Sequence, residues 1–213
     1  MIFVSIFGCG AGECIEAVSK EQAAEIRLES IAGLDAKAIK QIFSSKAKTI
    51  ATCRPGKIPD AKRKEILLAA IASGAAYVDV EVEASDGYKQ EIVSAAKKAG
   101  CKVIVSFHDQ EKTPVREEME QIIRWCFDSG ADIAKIACMA KSQRDCARLL
   151  GLLDRQEKLA VVAMGPEGSK ARVMAKALGS QIAYACYKKG KESASGQMTK
   201  EEFSRALDAL SID

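Results

Sequence analysis

Ala131-Asp132-Ile133-Ala134-Lys135-Ile136-Ala137-Cys138-Met139 sets a lysine in the middle of a short apolar run. The run is too short to cross a membrane and predicts a buried strand. Side chains alternate along a strand, so Ile133, Lys135 and Ala137 share one face, and Ala134, Ile136 and Cys138 share the other. Lysine is seldom buried without a partner. Two readings follow. The side chain snorkels to water from a strand end, or it is a desolvated amine of lowered pKa, poised to attack a carbonyl. The run alone does not choose between them.

Working outward, strand-like runs alternate with helical patterns along the whole chain. The strands are expected at 2–7, 24–28, 48–52, 76–82, 102–107, 132–138, 159–164 and 181–186. Amphipathic segments lie near 35–45, 60–73, 87–99, 114–129, 141–154, 168–178 and 199–210. Pro59-Asp60 and Thr113-Pro114 signal helix starts. Gly74, Gly100 and Gly130 fall where a left-handed cap ends a helix. Eight strands in strict alternation with helices predict an α/β fold, a single parallel (β/α)8 barrel over residues 1–213. A doubly wound open sheet is the competing architecture. Against it, the first strand leads only to Gly8-Cys9-Gly10-Ala11-Gly12, without a dinucleotide-binding glycine pattern.

The chain has 213 residues and carries 32 basic and 29 acidic side chains, interleaved rather than clustered. That balance argues against nucleic acid as a partner, and the few aromatic residues argue against a base-stacking surface. No segment approaches the ~20 apolar residues of a membrane-spanning helix. The N-terminus lacks the basic region of a signal peptide. Eight cysteines without a Cys-x-x-Cys pair, and one histidine, leave no zinc-like spacing. They read as reduced core thiols of a cytoplasmic protein.

Two strands are unusual. Glu25-Ile26-Arg27-Leu28-Glu29 and Val78-Asp79-Val80-Glu81-Val82-Glu83 each put charges on one face and aliphatics on the other. In a helix-wrapped barrel the aliphatic face packs outward, so the charges point inward. They are costly there unless paired or near the open mouth, and the C-terminal mouth is where barrel enzymes place their chemistry. His108, the one histidine, ends the strand before that of Lys135. Neighbouring strands lie ~4.8 Å apart, so the two side chains can meet over the mouth, with Glu81 one strand further back to orient the imidazole. Arg54 follows the third strand. Met164 to Arg172 offers small residues, a helix N-terminus and a guanidinium fork suited to an anion. Ser193-Ala194-Ser195-Gly196-Gln197 lies in a polar loop long enough to act as a lid. These residues describe a Schiff-base barrel enzyme for a small anionic carbonyl compound.

The same residues resemble the type I 3-dehydroquinate dehydratases of the shikimate pathway. The matching pieces are Glu25-Ile-Arg27, Thr52-Cys-Arg54, Asp79-Val-Glu81, Ser106-Phe-His108-Asp109, Ile133-Ala-Lys135-Ile136-Ala137, Met164-Gly165 through Arg172, Gly179-Ser180 and Gly196-Gln197. They occur in the family's order over nearly the whole chain. The resemblance implies that Lys135 forms an imine with the ketone of 3-dehydroquinate, that His108 moves the proton, and that Glu81 holds and polarises His108. It implies that Glu25, Arg27 and Arg54 bind ring hydroxyls. Arg172 and Gln197 are expected to grip the substrate carboxylate, with Ser193 and Tyr184 on the same side. No metal or organic cofactor is implied. Members are often dimers, so the resemblance admits a homodimer, although no stretch here marks an interface.

The chain departs from the family in its loops. Pro55-Gly56-Lys57-Ile58-Pro59 lacks the glutamate-glycine-glycine that many members carry, and Gln110 replaces a common phenylalanine. Ser195 and Ala140 stand where proline is usual. Two rival functions share the residue-level reading: a class I aldolase, which also uses a lysine imine, and an inactive carboxylate-binding barrel.

Overall fold

Short runs of Val, Ile and Ala, each bounded by turn residues, become eight parallel strands, and the amphipathic stretches between them become helices. The computed structural model describes residues 1–56 and 58–210. The strands are β1 (Ile2–Ile6), β2 (Ala23–Arg27), β3 (Lys48–Thr52), β4 (Tyr77–Glu81), β5 (Lys102–Asp109), β6 (Ile133–Met139), β7 (Leu159–Met164) and β8 (Ala183–Cys186). The helices are α1 (Ala11–Ser19), α2 (Ala36–Phe43), α3 (Asp60–Ala72), α4 (Asp86–Ala99), α5 (Arg116–Asp128), α6 (Gln143–Leu150), α7 (Gly168–Ala177) and α8 (Lys200–Asp208). The strands run in order from β1 to β7, and β8 returns to pair with β1. This is the (β/α)8 barrel, not the doubly wound sheet.

Helix α1 is absent from the segments expected above. Its glycine-rich entry and Gly12 inside it weaken the helical signal, yet Cys14, Ala17 and Val18 are buried on its inner face. Helix α5 starts at Arg116, two residues beyond Pro114, and α6 is extended by a 3-10 turn at Gly151–Leu153.

β7 and β8 share no ladder. Their seam is stitched below by Gln181 N–H to Leu159 O (2.8 Å) and Val161 N–H to Ser180 Oγ (3.1 Å). Above, it is closed by Gly165 N–H to Ser195 O (3.1 Å).

The period-two alternation sorts side chains into two cores. Ala134, Ile136 and Cys138 of β6 join Ile26, Val78, Val80 and Val105 in the layer between sheet and helices. Phe3, Ile50, Ile104, Ile133 and Ile182 form a separate plug inside the barrel. The plug fills the lower half, so inward polar residues gather in the upper half. The eight cysteines are unbridged and seven are buried. Among the described residues no helix is long and apolar enough to cross a membrane.

Gly168 opens α7 against β7. A Cβ there would lie 2.6 Å from the Ala163 carbonyl carbon and oxygen. Gly168→Ala should therefore destabilise the fold by about 1–3 kcal/mol through overpacking. Gly12 is exposed in α1, with nothing within 4 Å of an added Cβ. Gly12→Ala should stabilise by ~0.5–1 kcal/mol. Urea denaturation of the two variants checks both signs.

Candidate active site

Asp79, at the inward position of β4, is fully buried and takes four hydrogen bonds. Arg54 reaches it with both terminal nitrogens, Nη1 to Oδ1 and Nη2 to Oδ2, each at 2.9 Å. Ser106 Oγ donates to Oδ1 at 2.6 Å, and Lys135 Nζ to Oδ2 at 3.0 Å. Lys135 is itself 4% exposed, with Glu25 Oε1 3.8 Å away and the Tyr184 ring centroid 4.3 Å away. The lysine is therefore held at the centre of the barrel and does not snorkel. Burial pushes its pKa below the usual lysine range; Asp79 opposes that and Arg54 reinforces it.

Glu25 accepts from Ser5 Oγ (2.7 Å) and Thr52 Oγ1 (3.1 Å). Burial raises its carboxyl, but Lys135, Arg27 and Arg54 more than offset this, so it stays low and ionised. Asp79 is likewise held well below the carboxylate range: burial opposes ionisation, and Arg54 and Lys135 overcome it.

Glu81 does not hold His108. Its Oε1 accepts from Arg54 Nη1 at 2.8 Å and its Oε2 from Arg63 Nη2 at 2.9 Å. Two guanidiniums reach the carboxylate from β3 and α3, and that arrangement satisfies both oxygens. His108 is half-buried at the top of β5, one inward position above Ser106, which is paired in register with Lys135. Burial, then Arg54 and Lys135, hold its pKa well below the ordinary histidine value, so the imidazole is neutral near pH 7.

The expected anion side is built differently. Arg172 on α7 is 5% exposed, yet has no carboxylate partner among the described residues; its Nη2 donates to Ser195 O at 3.1 Å. Burial brings its pKa down to about 10, so it remains a cation at pH 7. Gln197 Oε1 accepts from Ser193 N (2.9 Å) and Oγ (3.1 Å), and its Nε2 donates to Ser5 Oγ at 3.3 Å. Gly196, at φ +77°, packs its backbone on the Gly165 carbonyl, where a Cβ would clash. Tyr184, on β8, has a buried hydroxyl with no hydrogen-bond partner among the described residues; burial holds it protonated.

A cavity of about 870 Å³ opens over these residues. It brings together all ten side chains picked out above: Lys135, His108 and Glu81; Glu25, Arg27 and Arg54; Arg172, Ser193, Gln197 and Tyr184. Around it, Arg27 pairs with Glu29, Arg54 with Asp79 and Glu81, Arg63 with Glu81, and Lys135 with Asp79 and Glu25. Among the described residues Arg172 is the cation of this cavity that pairs with no carboxylate, while Asp60 and Glu83 add further negative charge to its lining. The sequence placed Asp79 among the inward charges without giving it a role of its own, and it did not mark Arg63. Strand alternation already turned Asp79 inward, but Arg63 lies in a helix whose sequence reads as ordinarily amphipathic. Among the described residues no group of His, Cys, Asp and Glu is placed to hold a metal ion.

Fold and site together define a (β/α)8 barrel with a desolvated lysine at its centre and a buried guanidinium at its rim. The family model for type I 3-dehydroquinase matches residues 2–213, and the chain belongs to that family. A 3-dehydroquinate dehydratase from Methanosarcina barkeri is 38% identical over 157 residues, covering 71% of this chain and 65% of that protein. The matched stretch thus spans just under two thirds of that relative's length. The crystal structure of the 3-dehydroquinate dehydratase from Aquifex aeolicus superposes with a TM-score of 0.83 at 26% identity, covering 99% of this chain and 98% of that one. A type I enzyme structure from Clostridium difficile gives 0.86 at 24% identity, covering 98% and 91%.

His108 also shapes the pH dependence of stability. Its folded pKa lies below its unfolded value of about 6.5, so the unfolded chain takes up the proton first. The contribution is fully present above about pH 6.5 and is lost as pH falls toward the folded pKa. His108→Gln should flatten the loss of stability between about pH 7 and 5 relative to the parent, measured by urea denaturation at each pH. The N-terminal amine, lowered to about 5 by burial and Lys176, titrates in both proteins and cancels in the comparison.

Proposed function

We propose that this chain catalyses the dehydration of 3-dehydroquinate to 3-dehydroshikimate through an imine on Lys135, and that residues 1–213 form one catalytic barrel domain. The observation that carries the reading is the desolvated Lys135 amine beside a neutral imidazole, with Arg172 uncompensated across the mouth. Family membership supplies the substrate class.

The steps are those that the family resemblance implies for these residues. The neutral Lys135 amine attacks the ketone carbon, and the ketone oxygen leaves as water. The protonated imine draws electrons from the adjacent carbon, which acidifies its proton. Neutral His108 takes that proton, and the resulting imidazolium delivers it to the departing hydroxyl, so that water leaves in a stepwise syn elimination. Water then hydrolyses the imine, assisted by His108, and returns the amine.

Arg172 pairs with the substrate carboxylate, with Ser193, Gln197 and Tyr184 on the same side. Glu25, Arg27 and Arg54 meet the ring hydroxyls. Glu81 serves by fixing Arg54, a different task from holding His108. The family resemblance also admits a homodimer, which sedimentation equilibrium would read directly.

Borohydride reduction in the presence of 3-dehydroquinate, followed by peptide mass spectrometry, should place a ligand adduct on Lys135, with product formed in the unreduced control. An adduct on another lysine, or cleavage of a carbon–carbon bond in the control, would overturn the reading. Lys135→Ala should abolish both adduct and turnover. His108→Ala should still form the adduct slowly while elimination drops by roughly 10²–10⁴-fold. Arg172→Ala should raise KM by about 10–100-fold, the cost of one charged hydrogen-bonding partner; an unchanged KM and kcat would place the anion elsewhere.

A further inference from the structure

The carboxylate of Asp79 is shared between the two most deeply placed cations of the barrel. Lys135 Nζ bonds its Oδ2 at 3.0 Å, and Arg54 bonds Oδ1 and Oδ2 at 2.9 Å each. Ser106 Oγ fixes the carboxylate plane through Oδ1 at 2.6 Å. Asp79, Ser106 and Lys135 come from three consecutive strands, and the backbone register sets Glu81, Ser106 and Lys135 side by side. Asp79 lies one inward position below Glu81, within reach of all three donors.

We propose that Asp79 is a positioning residue that decides when Lys135 can act, by gripping the ammonium through Oδ2 while Arg54 competes for the same carboxylate. The inference deepens the reading of Lys135 as the imine-forming residue and rests on it for its catalytic meaning. An amine attacks a carbonyl only when unprotonated. A lone lysine at this depth would lose its proton easily but would also lack a fixed orientation. Asp79 supplies the orientation. Because both of its oxygens are already engaged by Arg54 and Ser106, its hold on the proton is weaker than that of a free carboxylate. Arg54, 13% exposed as a side chain, and Lys135 line the cavity and face an incoming ligand, with Asp79 behind them.

The charged and titratable groups facing Lys135 are Asp79 from β4, Glu25 from β2, Arg54 beyond β3, His108 from β5 and Tyr184 from β8. The inward residues of β7 beside Lys135, Ala160 and Val162, are apolar. Asp79 is the carboxylate in hydrogen-bond contact with Nζ; Glu25 stands further off at 3.8 Å. Removing the Asp79 charge therefore leaves Lys135 facing the Arg54 cation with less compensation, and its proton is released at lower pH.

The test needs no substrate. The intact protein is labelled with trace acetic anhydride across pH 6–11, and the fraction of Lys135 modified is read by peptide mass spectrometry against the exposed lysines. Asp79→Asn should shift the Lys135 labelling midpoint down by at least one pH unit, which makes the amine about tenfold more reactive on the acid side of the curve. Ser106→Ala keeps the carboxylate but removes one of its donors. It should shift the midpoint upward, and it supplies the answer if Asp79→Asn fails to fold. The parent midpoint in a folded Asp79→Asn, or in Ser106→Ala, would overturn the proposal.

With 3-dehydroquinate, the acid limb of kcat/KM should move with the labelling midpoint, whereas a merely structural role would lower kcat without moving the limb. A moved labelling midpoint without any imine on dehydroquinate would overturn the proposed function, and with it the catalytic role of Asp79. A parent-like midpoint with an intact imine would overturn the Asp79 proposal alone.

Discussion

Asp79 carries a negative charge where almost no water reaches, and the upper barrel is arranged to make that tolerable. A buried carboxylate without partners would cost several kcal/mol. Here Arg54, Lys135 and Ser106 surround it. Arg54 is in turn braced by Glu81, Glu81 by Arg63, and Arg63 by the Cys53 carbonyl and the Tyr88 ring. The relay runs from the helix layer to the barrel axis. Taking away one member strands its partner, a loss of about 3–5 kcal/mol for a buried pair. The charges that equip the site are thus also part of what holds β3, β4 and α3 in place.

The division of labour inside the barrel is spatial. Below, Phe3, Ile50, Ile104 and Ile133 exclude water and set the floor. Above, the cations at β2, β3 and β6 are paired with carboxylates, Asp60 and Glu83 add negative charge to the lining, and Arg172 stands apart from them. A cavity of that kind favours a ligand with a single negative charge, because a second anionic group would meet Glu25, Glu29 and Glu81 without a spare cation. The neutrality of His108 belongs to the same balance: with Arg54 and Lys135 close by, a third cation is disfavoured.

Much of this was legible in the sequence because period-two alternation is a rigid rule. Once Ile26, Val78 and Val80 pack outward, Glu25, Asp79 and Glu81 must point inward, and Lys135 joins them by the same parity. Parity says which face, not which neighbour. Glu81 was expected on His108, but a carboxylate one strand from Arg54 and beside Arg63 of α3 goes to the stronger donors. Arg63 could not be singled out, since a charged residue early in an amphipathic helix is ordinarily solvated and only the packing shows it 3% exposed. Helix α1 was missed for a local reason: its first turn carries glycine, and its stability comes from the apolar face it buries rather than from its own propensity.

The seam between β7 and β8 gives the barrel wall an uneven stiffness. Seven junctions are ladders that transmit force along their length; the eighth is stitched only at its ends. Its upper stitch is the Ser195 carbonyl, which also accepts from Arg172. The compliant wall is therefore the one beside the unpaired guanidinium, and the rigid wall is the one carrying the compensated charges. A guest that draws Arg172 away from Ser195 loosens the stitch where the wall yields most easily, while Asp79 and Arg54, across the barrel on the β3–β4 side, keep their places.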